Sequence, residues 1–281
     1  MTSRPLDDVH TARWLLLDGT TNTRDLGGLP TTDGGRTLPG RVLRSDNLQT
    51  LSDTDVRRLV DEIGLREVVD LRTTAEVLLE GRGPLRAHPA VTHRHFSLLP
   101  ERGHHTDVFA VEEAELPELP ADWAESVLPR QVAEDDQGEP PAVRSYLGYL
   151  SHRPENVLGA LRVIAAQTRG AAVVHCAAGK DRTGVVAMFT LACAGVPHEE
   201  IVADYALTAE VIHDLVAKLA ASPTYAEDME RRDVSVHTPR AETMDRLLTL
   251  LDERHGGPLG WLSRHGFGPD EQAALRARLR D

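Results

Sequence analysis

The stretch that decides the fold reads Ala171-Ala-Val-Val-His-Cys-Ala-Ala-Gly-Lys-Asp-Arg-Thr-Gly184. Its first part is a short apolar run of the kind found in buried strands, and the apolar segment from Thr183 to Ala194 predicts a helix. A loop between a strand and a helix N-terminus can direct its N–H groups at an anion, and the helix dipole favours negative charge there. The stretch therefore predicts an anion-binding loop.

Two side chains of this loop suit the chemistry of phosphate esters. Cys176 would lie at the base of the cradle, where the positive field favours the nucleophilic thiolate. Arg182 closes the loop, and its planar guanidinium can bind two phosphate oxygens and stabilise a transition state. The alternative, a buried and inert cysteine, does not explain why a strand, a loop with these residues and an apolar helix occur together.

The other loop residues are predicted to support this pair. Gly179 permits a turn with positive φ, Thr183 can hydrogen-bond the thiolate, and His175 can support the loop backbone from behind. We expect the substrate phosphate to be bound by Ala177, Ala178, Gly179, Lys180, Arg182 and Thr183.

Strand and helix patterns alternate through the first two thirds of the chain. Predicted strands cover 41–45, 67–71, 91–98 and 171–174. Predicted helices follow the caps Ser52 and Thr73 or Thr74, and cover 154–168, 183–194 and 201–219, while 22–40 reads as turns. This order predicts an α/β fold with a mainly parallel sheet flanked by helices, an all-helical C-terminal part and a single domain over 1–281.

An acidic, proline-rich segment at 101–141 interrupts the pattern. Residues 101–139 hold twelve acidic residues and two arginines, and so carry −10 of the net charge of −13. We interpret the segment as an insertion or lid, with a solvated loop as the alternative. The acidic balance argues against a nucleic-acid partner.

The composition gives few other constraints. The chain has two cysteines, Cys176 and Cys193, and therefore no disulfide framework. It has no apolar run long enough to span a membrane and no signal-peptide pattern near its start. We expect a cytoplasmic protein without stable membrane insertion, with export by a route lacking a signal peptide as the alternative. The oligomeric state cannot be read from the sequence.

The loop sequence resembles that of the bacterial tyrosine/serine phosphatases of the IphP type. Further matching stretches are Asn22-Thr-Arg-Asp-Leu-Gly-Gly28, Arg44-Ser45, Asp70-Leu-Arg72, Ile201-Val-Ala-Asp-Tyr205 and Gly256-Gly-Pro-Leu-Gly-Trp-Leu262. Thr23 stands where that family usually has an aromatic residue. The resemblance implies a cysteine-phosphatase fold with a four- or five-stranded sheet, a phosphocysteine intermediate, and no metal or organic cofactor.

The resemblance leaves the general acid open. Asp181 is the first candidate, because related lipid-phosphatase loops also end in Asp-Arg-Thr; its alternative role is to orient Arg182 through an ion pair. Glu101 and Asp107 follow a predicted strand, where related phosphatases carry their acid on a movable loop. In this family an aspartate follows a comparable Leu-Leu-Pro, whereas Glu101 follows Pro100 directly here.

The substrate class also stays open. The resemblance implies a phosphotyrosine protein phosphatase with dual specificity for phosphoserine and phosphothreonine. Lys180 adds a positive charge that loops acting on inositol phosphates also have, so the alternative is a phosphoinositide or other small-molecule phosphatase. A phosphate-binding protein without activity is disfavoured by the intact Cys176, Asp181 and Arg182.

Overall fold

The sheet places the carboxyl ends of its parallel strands at one edge. The computed structural model describes residues 13–101, 127–128, 138–230 and 233–280. The strands are β1 (Arg24–Asp25), β2 (Val42–Ser45), β3 (Leu65–Asp70), β4 (Thr92–His95) and β5 (Ala171–His175). They form one five-stranded sheet in the order β1-β2-β5-β3-β4, parallel except for the antiparallel pair β1–β2. The predicted α/β class and mainly parallel sheet are confirmed.

Helices cover both faces of the sheet and make up the C-terminal part. They are α1 (Asp53–Arg57, continued by a π-helical segment Arg58–Glu62), α2 (Thr74–Glu80), α3 (Pro141–His152), α4 (Pro154–Ala166), α5 (Asp181–Ala194), α6 (His198–Ala206), α7 (Ile212–Ala220), α8 (Ala226–Glu230), α9 (Val234–His237), α10 (Ala241–His255), α11 (Pro258–Arg264) and α12 (Pro269–Leu279). Short 3-10 helices cover Pro84–Ala87 and Leu207–Val211. From Asp181 to Leu279, the described residues form only helices and connections.

The central strand β5 separates two apolar clusters. Successive residues of a strand point to opposite faces. Val174 accordingly packs into the larger cluster with α3 to α5, while Val173 packs into the smaller one with Leu59 and Val60. α5 is buried along almost its whole length. Its N-terminus, which contains the loop arginine, is therefore held rigidly against the sheet.

Capping boxes start α1 and α2, at the predicted cap Ser52 and at Thr73, one of the two candidate caps of the second helix. The hydroxyl of Ser52 accepts from the N–H of Asp55, whose carboxylate accepts from the Ser52 N–H. Thr73 and Glu76 form the same reciprocal pair at α2. Gly64 has a positive φ of 78° after the first of these helical segments.

Two predictions of local structure are wrong. The stretch 22–40 contains β1, which is too short to show a periodicity. The predicted helix 201–219 is interrupted by the 3-10 segment Leu207–Val211. The cause is tertiary: the carbonyl of Asp204 and the hydroxyl of Thr208 both accept hydrogen bonds from the buried guanidinium of Arg24. The remaining predicted helices and strands are present, with their ends shifted by a few residues.

Most of the acidic segment lies outside the described residues. Within it, the carbonyl of Val127 accepts a hydrogen bond from the Thr73 hydroxyl, 3.0 Å away. Its role as a lid stays a prediction. Among the described residues no helix is long and apolar enough to cross a membrane, and Cys176 and Cys193 are free thiols.

Candidate active site

The residues of the predicted loop surround one cleft at the carboxyl edge of the sheet. Cys176 follows β5 directly and is 2% exposed. Asp181 and Arg182 are the first residues of α5, which starts earlier than predicted. The cleft has a volume of about 450 Å³, and its loop lining consists of Cys176, Ala177, Ala178, Lys180, Asp181 and Arg182. Gly179 and Thr183 belong to the loop but not to this lining.

The carbonyl groups of the loop point outward and accept hydrogen bonds from neighbouring residues, which hold the loop in place. Three consecutive carbonyls accept hydrogen bonds: that of Ala177 from the Asn47 N–H at 3.0 Å, that of Ala178 from the Asn22 amide at 2.8 Å, and that of Gly179 from the Arg44 guanidinium at 2.7 Å. In a trans peptide unit the N–H points away from the C=O. The N–H groups of residues 178–180 therefore point to the inside of the loop. This arrangement suits an anion above Cys176.

Gly179 has two reasons to be glycine. Its φ is +63°, which confirms the predicted left-handed turn. A Cβ at this position would also lie 2.4 Å from the carbonyl oxygen of Ser45, at the end of β2. The loop backbone thus sits directly against the end of the neighbouring strand.

A buried cluster of three arginines around Asp204 supports the outer side of the loop. The carboxylate of Asp204 accepts from Arg44 at 2.6 Å, from Arg13 at 2.7 Å and from Arg24 at 3.3 Å. Burial alone would raise the pKa of Asp204, but these three guanidinium groups hold it well below its usual range. Arg44 therefore connects an ionised, buried carboxylate to the loop carbonyl of Gly179.

Arg24 and Asp46 contact Asn22, one of the residues that hold the loop, whereas Asp25 does not. Arg24 donates to the side-chain oxygen of Asn22, whose amide holds the loop. Asp46 accepts from the N–H of Asn22 and from Lys218. Asp25 lies farther out, where it accepts from the N–H groups of residues 27 and 40.

The guanidinium of Arg182 is fixed by Glu76. Its two terminal nitrogens lie 2.5 and 2.9 Å from the two carboxylate oxygens. Glu76 also accepts from the Thr73 N–H at 2.7 Å and from the Tyr225 hydroxyl at 3.0 Å. Burial would raise the pKa of Glu76, but the Arg182 charge lowers it below its ordinary value. This buried, bidentate ion pair thus holds the guanidinium of Arg182 in one orientation at the cleft.

His175 and Thr183 complete the loop. His175 lies behind Cys176 with its Nε2 atom 3.5 Å from Asp70, and burial lowers the pKa of its imidazole to about 4. The hydroxyl of Thr183 is buried and, within the described part of the chain, has no hydrogen-bond partner. It is therefore available as a donor inside the loop.

Asp181 is partly exposed at the loop. Its side chain is 34% exposed, and its Oδ2 atom lies 3.5 Å from the Lys180 ammonium. Lys180 in turn donates to the carbonyl of His237 at 2.6 Å. The carboxylate that orients Arg182 is Glu76, so the alternative role considered for Asp181 is taken by another residue.

Glu101 is placed elsewhere. Its carboxylate accepts from the N–H and the hydroxyl of Thr74, at the N-terminus of α2. Burial raises the pKa of Glu101, and the bond from Thr74 opposes this shift. Glu101 does not line the cleft, and Asp107 lies outside the described residues. Asp181 is thus the acid candidate that the structure brings together with Cys176.

Away from the loop, the cleft is mostly apolar and aromatic. Its lining includes Leu99, Leu128, Tyr146, Tyr149, Ile212, Leu215, Val216, Leu219, Tyr225 and Met229. Tyr146 and Tyr149 are buried and face this cleft. Across the residues that the structure describes, no group of three or more His, Cys, Asp or Glu side chains could hold a metal ion.

Sequence reasoning missed Glu76, which holds the guanidinium of Arg182. The signal for Glu76 was present, because Thr73-Thr-Ala-Glu76 is a capping-box pattern at a strand end. The contact between Glu76 and Arg182, however, joins residues 106 positions apart. No local pattern reveals such a pair.

Comparisons with known proteins identify the family to which the chain belongs. A family model described as the tyrosine phosphatase family matches residues 15–281. The chain is 29% identical over 244 residues to a tyrosine-protein phosphatase of Nostoc commune, covering 84% of this chain and 73% of the relative. It is 31% identical over 193 residues to a putative tyrosine-protein phosphatase of Cupriavidus necator, covering 68% and 61%.

A third relative is matched over nearly its whole length. It is the triple specificity protein phosphatase PtpB of Mycobacterium tuberculosis, 27% identical over 294 residues, with 94% of this chain and 98% of the relative covered. Since the family model spans almost all of the sequence and these relatives carry the same description, the chain is an enzyme of the tyrosine phosphatase family.

Proposed function

We propose that the protein hydrolyses phosphomonoesters through a phosphocysteine intermediate on Cys176. Its principal substrate is phosphotyrosine in proteins, and phosphoserine and phosphothreonine are secondary substrates. The observation that supports this most directly is the loop, which turns its N–H groups inward above Cys176 while Arg182 and Asp181 line the same cleft. A thiolate, an anion cradle and a carboxyl group within one cleft can divide the hydrolysis into two displacements.

In the first displacement the Cys176 thiolate attacks phosphorus and the bond from phosphorus to the ester oxygen breaks. Asp181, in its carboxylic acid form, gives its proton to the leaving oxygen. The loop N–H groups and the guanidinium of Arg182 stabilise the charge on the transferring phosphoryl group. The products of this step are the free alcohol or phenol and S-phosphocysteine.

In the second displacement water attacks the same phosphorus and the bond between sulfur and phosphorus breaks. The Asp181 carboxylate takes a proton from the attacking water, so the acid form is restored. The hydroxyl of Thr183, which is buried without a partner in the described region, can donate to the departing thiolate. Inorganic phosphate leaves and the enzyme returns to its starting state.

The lining of the cleft favours an aromatic ester. Tyr149, Leu215 and Tyr225 offer apolar and aromatic surface next to the loop, and a phenyl ring would bury against it. A phosphoinositide headgroup needs cationic groups for its further phosphates. Besides Arg182, the lining offers Lys180, which already donates to the carbonyl of His237, and Arg144, which shares the lining with the acidic Asp228. We therefore place phosphoinositides and small metabolite phosphates below phosphotyrosine. The similarity to a triple specificity phosphatase supports the secondary activity on phosphoserine and phosphothreonine.

The test is phosphate release from a panel of substrates, measured with a chelator present. The panel contains phosphotyrosine, phosphoserine and phosphothreonine peptides, phosphoinositides and common sugar and nucleotide monophosphates. We expect kcat/KM for the phosphotyrosine peptide to exceed that for other classes by ~100-fold, which corresponds to about 2.7 kcal/mol of transition-state discrimination. A higher kcat/KM for phosphoinositides would contradict the assignment, and inactivity on the whole panel would contradict the proposed chemistry.

A further inference from the structure

A chain of two tyrosine hydroxyls ends on the carboxylate of Asp181. The hydroxyl of Tyr146, on α3, donates to the Oδ1 atom of Asp181 at 2.6 Å. The hydroxyl of Tyr205, on α6, lies 2.6 Å from that of Tyr146. Both tyrosines are buried, with exposed fractions of 1% and 2%. The two hydroxyls therefore join three helices at the carboxyl group proposed as the proton donor.

The direction of the chain follows from the number of protons. A tyrosine hydroxyl has one hydrogen to donate and lone pairs to accept. Because Tyr146 uses its hydrogen for Asp181, it must accept from Tyr205. Burial, together with the charge of Asp181, raises the pKa of both phenols above the ordinary value. Both remain neutral donors at physiological pH.

The packing leaves the chain little freedom to move. The rings of Tyr146 and Tyr205 meet edge to face with centroids 6.2 Å apart, a favourable aromatic geometry. A Cβ on Gly184, in the second turn of α5, would lie 3.1 Å from the Tyr205 ring, so α5 approaches this ring closely. Tyr205 also directly follows Asp204, which holds the loop through Arg44. Two neighbouring residues of α6 thus support the loop: Asp204 holds its backbone through Arg44, and Tyr205 contacts the tyrosine that binds Asp181.

We propose that Tyr146 and Tyr205 are positioning residues of the reaction: they occupy Oδ1 of Asp181 and so assign proton exchange to Oδ2. Oδ1 accepts from Tyr146 in both protonation states, as a carbonyl oxygen in the acid and as a carboxylate oxygen in the base. Oδ2 gives its proton to the leaving oxygen in the first displacement and takes one from water in the second. The carboxyl group therefore acts twice without changing its rotamer. This inference rests on the proposed phosphatase chemistry.

The test uses Tyr146→Phe with aryl phosphates whose leaving groups differ in basicity. p-Nitrophenyl phosphate needs little help from an acid, whereas phenyl phosphate needs a proton on its leaving oxygen. For Tyr146→Phe we expect kcat/KM to fall ~10-fold more for phenyl phosphate than for p-nitrophenyl phosphate, since a hydrogen bond to a charged group is lost. Tyr205→Phe should change the ratio of the two kcat/KM values in the same direction, but less.

Two further variants, one at each acid candidate, make the test specific. Asp181→Asn should lose far more kcat/KM on phenyl phosphate than on p-nitrophenyl phosphate, with the largest such difference of all the variants. Glu101→Gln should show no such difference. A uniform loss on both substrates in Tyr146→Phe, with the difference present in Asp181→Asn, would overturn the inference and leave the proposed function intact. If Glu101→Gln shows the difference instead, both the acid assignment and the inference fall.

Discussion

Replacement of Cys176 by serine is expected to abolish phosphate release while phosphate binding remains. A serine hydroxyl is protonated near neutral pH and is a weak nucleophile without an adjacent base, so we expect kcat to fall at least ~10³-fold. The loop N–H groups and Arg182 do not depend on the sulfur. Inorganic phosphate should therefore bind Cys176→Ser with a Kd near that of the wild type in isothermal titration.

The chain supplies a matched control in its other cysteine, Cys193. This residue lies near the end of α5, does not line the cleft, and has a pKa that burial raises to about 12. Its thiol is therefore neutral, and Cys193→Ser should keep wild-type kcat with at most a loss of stability. If Cys176→Ser retained activity, or if Cys193→Ser lost it without unfolding, the nucleophile would be assigned to the wrong residue.

The second large effect is expected for Glu76→Gln. This change keeps the shape of the side chain but leaves the buried guanidinium of Arg182 without its counter-charge. Loss of one partner of a buried ion pair costs about 3–5 kcal/mol of folding stability, and Arg182 also loses its fixed orientation. We expect kcat/KM to fall by ~10²–10³-fold and the Tm to drop, with phosphate restoring part of the Tm because it supplies negative charge at the same place.

Glu80→Gln is the control for this prediction. Glu80 lies on the same helix and accepts from Asn47 and Ser222, but it does not contact Arg182. The Glu80→Gln enzyme should have a kcat/KM within a small factor of that of the wild type. A Glu76→Gln enzyme with normal kcat/KM, or one whose Tm does not respond to phosphate, would contradict the role of Glu76 in holding Arg182.

The loop and its immediate surroundings could be predicted from the sequence because they are local. Strand, loop and helix are consecutive, so the positions of Cys176, Gly179 and Arg182 follow from one stretch. The capping box of Ser52 is also local, since both of its bonds span three positions. The parallel sheet follows from the alternation of strands and helices.

Contacts between distant segments could not be predicted. Glu76, Tyr146 and Asp204 act on the loop from three different helices, and their side chains have no special local spacing. The interruption of the helix predicted for 201–219 has the same origin, because Arg24, from the start of the chain, takes the carbonyl of Asp204. Secondary-structure propensity is overruled where a buried cation needs acceptors.

The choice between Asp181 and Glu101 as the general acid also depends on contacts that the sequence does not reveal. Their sequence contexts are both compatible with an acid, and burial even raises the pKa of Glu101. Position favours Asp181: Glu101 binds the N-terminus of α2, whereas Asp181 lines the cleft beside Cys176. The resemblance to a family already put Asp181 first, and the folded arrangement supports that order.

The most direct test of the account is to trap the covalent intermediate. Asp181→Asn enzyme is mixed with p-nitrophenyl phosphate and quenched in acid within milliseconds, and the phosphorylated peptide is identified by mass spectrometry. This good leaving group needs no proton donor, while the missing base slows the attack of water, so the intermediate should accumulate. The account predicts one phosphoryl group per enzyme, on Cys176. It predicts none in the double variant that carries both Asp181→Asn and Cys176→Ser. A phosphoryl group on another residue, or turnover by direct attack of water with no phosphoenzyme, would contradict it.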